Sequence, residues 1–150
     1  MMLRPQPAFA PYLAEALGTF ALVFAGPGSV AVNAASDGAV TGVGIGMAFG
    51  LIVMTMIYSL GHISGCHINP AVTIAMIATR RMDAVVGGLY IVVQFLGGVV
   101  GAFMLWLMVE QFDVVDQTGA LGSNGYGDAG GINLTGALVV EVLLTMCFVL

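Results

Sequence analysis

The chain has 150 residues, of which 59% are hydrophobic and 7% charged, and its mean hydropathy is +1.05. A soluble domain carries roughly 25% charged residues, so this composition cannot cover a surface exposed to water. Three basic residues against eight acidic ones provide no basic patch for nucleic-acid binding. The two cysteines lie inside apolar stretches, which argues against a disulfide framework of the secreted type. The composition therefore indicates an integral membrane protein.

The uncharged stretches predict the membrane helices in chain order. A helix that spans the bilayer takes about 20 residues, and the apolar segments 11–34, 40–60 and 84–110 are each long enough. A fourth apolar segment covers residues 135–150. A signal peptide is the alternative for the first segment, but its apolar run exceeds the roughly 7–15 residues of a signal core and contains Glu15. We therefore predict a membrane helix in each of the four segments.

Residues 61–80 predict a different structure, although most of them are uncharged. The segment GHISGCHINP (61–70) combines His, Gly, Asn and Pro at a density that a lipid-facing helix cannot carry. Residues 70–79 are suited to a helix again, but that helix would be about 15 Å long, half of a hydrocarbon core of about 30 Å. The sequence therefore predicts a re-entrant loop with a half-length helix over residues 61–80.

The basic residues test this topology through the positive-inside rule. Arg4 precedes the first helix and Arg80 and Arg81 follow the half-length helix, and short basic loops favour the cytoplasmic side. Two full helices and a re-entrant loop place all three arginines on one side, whereas a third full span would separate them. The acidic, glycine-rich loop 110–135 has no basic residue, as suits an outer loop. We predict a multi-pass protein of the cell (inner) membrane with a cytoplasmic N-terminus.

A short internal repeat relates the first helix to the last. The segments EALGTFALVF (15–24) and EVLLTMCFVL (141–150) share a Glu, a Thr four residues later and an apolar continuation, at an offset of 126 residues. Glutamate is rare inside membrane helices, so two in the same setting carry weight. Three helices plus one re-entrant loop form an odd-numbered unit, whose second copy would be inverted in the membrane, as is common in transport proteins. We predict that the chain is incomplete and holds one repeat plus the first helix of another.

The start of the half-length helix supplies the polar groups of the predicted pathway. Pro70 suits the first helical position, where its missing N–H has no intrahelical partner, and Asn69 suits the N-cap and adds side-chain N–H donors. The helix dipole places roughly half a positive charge at this end. Upstream, the non-helical backbone of residues 64–68 leaves carbonyls unpaired, which at membrane depth is tolerable only along a water-filled path. This arrangement favours a neutral dipolar solute and opposes cations.

The segment HISGCHINPAVT (62–73) resembles the first signature loop of the aquaporin and glycerol-facilitator family. The resemblance extends over nearly the whole chain, through AEALGTFALVF (14–24), YIVVQFLGG (90–98) and SNGYG (123–127). It implies an all-α membrane protein, an aquaporin-like inverted-repeat helical bundle with a re-entrant half-helix, of which the chain holds the first repeat and the start of the second. The family's second signature loop, its Arg and the last two helices are absent.

The resemblance also implies roles for individual residues. Asn69 corresponds to the first of two midplane amides that orient water, and the carbonyls of residues 65–68 correspond to half of an acceptor ladder. Phe49 falls on the aromatic constriction position, where Phe is typical of water-selective members and Trp of glycerol facilitators. The implied loop-bracing residues are Glu15 and Glu141. The implied pore and selectivity residues are Asn69, Pro70, Ala71, His67, Cys66, Gly65, Ile68, Phe49, Val53, Leu22 and Phe148.

The function implied by the resemblance is a passive water channel that excludes ions and protons, with no enzymatic activity and no cofactor. The implied partners are water or small neutral solutes, the lipid bilayer and further copies of the chain in a homotetramer, with no nucleic acid. Two alternatives remain open. One is a glycerol or small-polyol facilitator, and the other is a proton-coupled transporter that uses Glu15 and Glu141.

A zinc site formed by His62, Cys66 and His67 is a further alternative. Such a site needs three or four converging ligands in tetrahedral geometry, and Gly65 and Pro70 make a continuous helix through these residues doubtful. We therefore predict no metal site.

Several glycines have spacings that indicate helix packing. Gly42, Gly46 and Gly50 form a small-residue ridge that another helix can approach, with Phe49 on its flank toward the interior. A second group, consisting of Gly97, Gly101 and Gln94, is likewise interpreted as packing.

Overall fold

The computed structural model describes residues 7–111, 118–123, 125–127 and 131–149. Over these ranges the secondary structure is helical, with an isolated β-bridge between Gly127 and Ile132 and no strand. The predicted all-α fold class is confirmed. Arg4, much of the acidic outer loop and Leu150, which entered the sequence predictions, lie outside the described residues. The helices in chain order are α1 (Ala10–Ala35), α2 (Thr41–Ser64), α3 (Pro70–Ala78), α4 (Ala84–Gln111) and α5 (Leu134–Val149).

Three of these helices, α1, α2 and α4, are long and apolar enough to cross a membrane. Helix α1 begins at Ala10 with a proline in its first turn, where the missing N–H costs no hydrogen bond. Pro27 lies inside α1 and removes one intrahelical hydrogen bond, which membrane helices tolerate when neighbouring groups adapt. Gly122, in the connection between α4 and α5, packs against the Pro27 carbonyl so closely that a Cβ would overlap it. This connection thus contacts the C-terminal part of α1.

Helix α2 continues four residues beyond the position predicted from sequence, through residue 64 instead of residue 60. It ends at Gly65, which adopts a left-handed conformation with φ of +86° and donates its N–H to the Gly61 carbonyl. The sequence argument assumed a lipid-facing helix, which cannot carry polar groups. The Ser64 side chain is instead buried in protein, where it finds hydrogen-bond partners. The non-helical link is therefore shorter than predicted and covers residues 65–69.

Helix α1 packs against both α2 and α4, and α3 packs against α4 and α5. The approach of α1 to α4 depends on two glycines of α4. A Cβ at Gly97 would overlap the carbonyl oxygen of Ala16, and a Cβ at Gly101 would press on the backbone of Phe20. Their predicted role in helix packing is confirmed, because only glycine permits this backbone contact.

We expect the variant Gly97→Ala to be destabilised by about 1–3 kcal/mol, since the added methyl group meets backbone that cannot move aside. Gly88→Ala on the same helix is the matched control, because no side chain and no other helix of the described residues comes within 4 Å of its Cβ position. There the better helix propensity of alanine should stabilise by roughly 0.5–1 kcal/mol. Thermal unfolding of both variants in detergent measures the difference. Equal shifts in the two variants would contradict the packing assignment.

The predicted ridge of Gly42, Gly46 and Gly50 has a different environment. No atom lies within 4 Å of the Cβ position of any of the three, so the described residues contain no helix that approaches the ridge. Phe49 on its flank does face the interior, where its ring contacts Gly26 of α1. The three glycines are therefore not in contact with another described helix, while their neighbour Phe49 turns toward α1.

Candidate functional site

A cavity of about 470 Å³ lies between α1, α2 and α5, beside the start of α3. Five of its lining residues are ones that the resemblance assigned to the pore, and they are far apart in the sequence. They are Leu22, Phe49, Val53, Asn69 and Phe148. The other lining residues, which the sequence reasoning did not single out, are Gly50, Leu144 and Thr145. The fold therefore brings the implied wall and the implied amide donor to one cavity.

The polar end of this cavity is the first turn of α3. Helix α3 begins at Pro70 with Asn69 as its extended N-cap, as predicted, and Asn69 Oδ1 accepts the N–H of Ala71 at 2.8 Å. Because Oδ1 is engaged with the backbone, the Nδ2 donors of Asn69 are left for other partners. Within the described part of the chain no acceptor is hydrogen-bonded to Nδ2, and the Asn69 side chain lines the cavity.

The link before Asn69 has a strained backbone. Gly65, Cys66 and Ile68 have φ values of +86°, +52° and +43°. A positive φ is an outlier for a β-branched residue such as isoleucine. Such conformations persist only where the surrounding structure over-determines them. Over the described residues, no donor is hydrogen-bonded to the carbonyls of 65–68.

Glu15 holds this link in place. Its carboxylate is fully buried (0% exposed), and Oε1 accepts hydrogen bonds from Ser64 Oγ at 2.6 Å and the His67 backbone N–H at 2.9 Å. Its Oε2 accepts from the Ile68 backbone N–H at 2.6 Å and from Gln94 Nε2 at 2.8 Å. Four donors thus surround one side chain, and two of them are backbone groups of the strained link. The bracing role that the resemblance implies for Glu15 requires this geometry.

Side chains from α3 and α4 extend the network. His67 Nδ1 lies 3.1 Å from Thr73 Oγ1, and Gln94 Nε2 donates to the same Thr73 oxygen at 3.0 Å. The Tyr90 hydroxyl donates to the Ser64 carbonyl at 3.0 Å, and its ring stands edge-on to the His67 ring at a centroid distance of 5.5 Å. The re-entrant link is therefore fixed from α1, α3 and α4 together.

The sequence reasoning missed most of this network. Ser64, Thr73 and Tyr90 were not singled out, and Gln94 was interpreted as packing, whereas its amide bonds to both Glu15 and Thr73. The available signal was a pair of polar residues four positions apart in an apolar helix, since Tyr90 and Gln94 share one face of α4. Gln94 Oε1 is buried without a hydrogen-bond partner among the described residues. Such a group costs about 1–3 kcal/mol, so the orientation of its Nε2 toward Glu15 must outweigh that cost.

The implied pore residues of the link itself are placed differently from the wall residues. The side chains of Cys66, His67 and Ile68 are buried, at 7%, 5% and 2% exposed, and none of them lines the cavity. Ile68 packs on Gly18 of α1. Any contribution of these residues to a pathway is therefore confined to their backbone carbonyls.

Glu141 has a separate environment. It is exposed on α5 and lines another cavity, of about 280 Å³, together with Tyr126 from the connection between α4 and α5. Within the described residues its carboxylate accepts no hydrogen bond of the kind that Glu15 accepts. Its implied role as a second brace stays a prediction.

The three candidate zinc ligands do not converge. His67 Nδ1 is occupied by Thr73, Cys66 is buried and His62 is exposed. No group of three or more metal-ligating side chains is found in the part of the chain that the structure describes.

A Tyr90→Phe variant tests the outer part of the network. We expect it to be destabilised by about 1 kcal/mol, because it loses the hydrogen bond to the buried Ser64 carbonyl while the ring remains. Tyr12→Phe is the control, since the Tyr12 ring packs edge-on against Tyr90 and no described residue is hydrogen-bonded to its hydroxyl. Chemical or thermal unfolding in detergent measures both. A loss in Tyr12→Phe as large as that in Tyr90→Phe would contradict the assignment.

Fold and site together define an all-α integral membrane protein in which a buried glutamate holds a strained link that precedes a short helix. The chain matches the Major intrinsic protein family over residues 2–150. The chain therefore belongs to the major intrinsic protein family.

Curated relatives agree with this assignment. The chain is 44% identical over 140 residues to a protein named Aquaporin Z from Rhodopseudomonas palustris, covering 91% of this chain and 58% of the relative. It is 46% identical over 141 residues to Aquaporin Z of Photorhabdus laumondii, covering 91% and 61%, and 41% identical over 140 residues to that of Bradyrhizobium diazoefficiens, covering 91% and 58%. The chain thus spans about three fifths of the length of these relatives.

Proposed function

We propose that the complete protein is a passive water channel of the cell (inner) membrane that excludes ions and protons, with no enzymatic activity and no cofactor. The observation that carries the proposal is the cavity in which the apolar side chains of Leu22, Phe49, Val53 and Phe148 face the amide of Asn69. A small neutral solute can move along an apolar wall of this kind when a single row of polar groups provides its hydrogen bonds. The four apolar side chains offer an ion no ligands to replace its hydration shell.

The polarity of the site supports exclusion of cations. The first turn of α3 presents backbone N–H groups and the Asn69 amide, and the dipole adds roughly half a positive charge at this end. Water can accept a hydrogen bond from Asn69 and donate to the carbonyls of the preceding link. A cation at the first turn of α3 would meet the Asn69 amide and the backbone N–H groups, which are hydrogen-bond donors and cannot act as its ligands. The arrangement is therefore suited to a neutral molecule that both donates and accepts hydrogen bonds.

The hydrogen bonds of Glu15 favour bracing over proton transfer. All four donors around its carboxylate are hydrogen-bonded to it, and two of them belong to the backbone. A proton carrier must exchange its proton with a pathway, whereas Glu15 is fully buried. The coupled-transporter alternative therefore receives no support from this side chain.

The wall described here is one side of a pathway. The relatives are longer than this chain, and the repeat offset of 126 residues relates α1 to α5. We expect the full coding sequence to contain a second Asn-Pro-Ala at about position 195, one repeat offset beyond Asn69, followed closely by an Arg. The proposal includes a cytoplasmic N-terminus, from the positive-inside pattern, and a homotetramer, from the family resemblance. Sequencing past residue 150 tests the repeat, and a coding region without the motif would contradict it.

Reconstitution of the full-length protein tests the function. Proteoliposomes are exposed to an osmotic gradient of sucrose or glycerol, and light scattering follows their volume, while an entrapped pH dye follows proton entry. We expect faster water flow than in protein-free liposomes, with no added glycerol or proton flux. Glycerol entry as fast as water flow would instead support the facilitator alternative. A proton flux driven by a pH gradient would contradict the proposal.

A further inference from the structure

The turn between α3 and α4 carries two adjacent arginines in an unusual backbone setting. Helix α3 ends in a Schellman motif, in which the N–H of Arg80 bonds to the Ile77 carbonyl and the N–H of Arg81 to the Met76 carbonyl, both at 2.9 Å. Arg80 occupies the left-handed position of this motif with a φ of +58°. Glycine is the residue usually found there, because a Cβ is disfavoured in that conformation. Local backbone preference therefore does not explain an arginine at residue 80.

Both guanidinium groups are free to bind a partner. Arg80 and Arg81 are exposed, and neither side chain forms an ion pair or hydrogen bond with any described residue. The nearest acid along the chain, Asp83, is engaged elsewhere, since its Oδ1 accepts the backbone N–H groups of Val85 at 2.9 Å and Val86 at 3.2 Å at the start of α4. Among the described residues the two permanent positive charges therefore have no ion-pair partner, and the Asp83 carboxylate caps α4 instead.

The position of the turn places these charges at the membrane surface. Helix α4 starts three residues after Arg81 and has 28 residues, a length of about 42 Å, which matches the hydrocarbon core plus both headgroup regions. Its first turns expose the apolar side chains of Val85 and Leu89, at 72% and 47%. A positive pair thus adjoins an apolar helix surface. This combination matches an anion that carries hydrocarbon chains better than it matches a soluble anion.

We propose that Arg80 and Arg81 bind the phosphate of an anionic phospholipid whose acyl chains lie along the exposed face of α4. Two guanidinium groups can each donate paired hydrogen bonds to phosphate oxygens. Anionic headgroups attract basic residues at the membrane surface. The lipid covers Val85 and Leu89, and its phosphate charge lies between the two guanidinium groups. On the proposed topology the lipid belongs to the cytoplasmic leaflet.

Lipid titration of the full-length protein in non-ionic detergent tests the site. Native mass spectrometry measures the fraction of protein that carries phosphatidylglycerol or, as the zwitterionic comparison, phosphatidylcholine. We expect wild-type protein to prefer phosphatidylglycerol. Arg80→Gly and Arg81→Gln should each weaken its binding roughly fivefold and together roughly 30-fold, with phosphatidylcholine binding unchanged. Arg4→Gln removes the same unit of charge elsewhere and should change phosphatidylglycerol binding less than twofold.

Arg80→Gly also separates lipid binding from a purely structural role. Glycine suits the left-handed position, so the lipid-free variant should unfold at or above the wild-type temperature while it loses lipid. If the arginines serve only to offset the negative end of the α3 dipole, the variants unfold at lower temperature and bind phosphatidylglycerol as wild type does, which would overturn the proposal. Equal binding of the two lipids by wild-type protein would overturn it too. So would displacement of the lipid by inorganic phosphate, which would identify a soluble anion as the ligand. Water permeability does not enter this test, so its outcome is independent of the proposed channel function.

Discussion

The variant Glu15→Leu is expected to lose at least about 4 kcal/mol of unfolding free energy, because four donors lose their acceptor at once. Each buried donor left without a partner costs about 1–3 kcal/mol. The four donors here are the Ser64 hydroxyl, two backbone N–H groups and the Gln94 amide. Without Glu15, the Ile68 N–H loses its described hydrogen-bond acceptor, and one of the contacts that hold Ile68 at its positive φ is lost. We therefore expect a protein that expresses poorly and unfolds at a much lower temperature than wild type in detergent.

Two further variants make this result specific. In Glu15→Gln the amide oxygen can still accept from Ser64 and His67, while its NH₂ group opposes the Ile68 N–H. Gln94 can rotate so that its unpartnered Oε1 accepts from the new amide, which limits the loss to about 1–3 kcal/mol. Glu110→Gln at the exposed end of α4 should change stability by less than about 0.5 kcal/mol. Equal unfolding temperatures for Glu15→Leu and Glu110→Gln would refute the bracing role.

Local signals in the sequence predicted the fold best. Uncharged runs identify α1, α2 and α4 because a membrane span needs about 20 apolar residues, a requirement set by the bilayer and not by neighbours. Asn69 and Pro70 identify the start of α3 because capping and the missing proline N–H act within one helical turn. The end of α2 was misplaced because it depends on packing. Residues 61–64 stay helical since Ser64 meets Glu15 and Tyr90, and those residues are distant in sequence.

The candidate site likewise contains residues that could be predicted from the sequence and residues that could not. The positions of the wall residues follow from the resemblance and the repeat, and the structure brings them to one cavity. The network around Glu15 could not be predicted, because its hydrogen bonds join residues as many as 79 positions apart and no local pattern encodes such a pairing. The same reasoning explains Cys66 and His67. The resemblance assigned them to the pathway through their backbone carbonyls, and the hydrogen bonds to Glu15 and Thr73 hold the link so that their side chains are buried.

The contact between Phe49 and Gly26 determines how closely the Phe49 ring approaches α1. A Cβ at Gly26 would overlap the Phe49 ring, so the ring sits against the bare backbone of α1. Phe49 also lines the cavity, and therefore one face of the ring touches α1 while another borders the cavity. The sequence reasoning identified Phe49 but not Gly26, because the contact between the two helices is tertiary. Because Gly26 has no side chain, the Phe49 ring can pack closer to α1 and farther from the centre of the cavity.

In the complete protein, removing the Phe49 ring should increase permeability, whereas adding a methyl group at Gly26 should decrease it. Phe49→Ala removes the ring, and we expect glycerol permeability to rise roughly tenfold or more, which corresponds to a barrier lowered by about 1.4 kcal/mol. Gly26→Ala pushes the ring away from α1 and toward the cavity, so water permeability should fall while glycerol stays excluded. Osmotic swelling of proteoliposomes with sucrose and glycerol gradients measures both quantities.

Two controls separate a constriction from general packing. Phe95→Ala makes the same truncation at a residue that is 64% exposed on α4 and does not line the cavity, so it should leave both permeabilities unchanged. The double variant Gly26→Ala/Phe49→Ala has no ring to displace, so its water permeability should equal that of Phe49→Ala alone. If Gly26→Ala still reduced water flow in the Phe49→Ala background, the effect would come from helix packing. In that case Phe49 would be a packing residue of α2 and not a wall of the pathway.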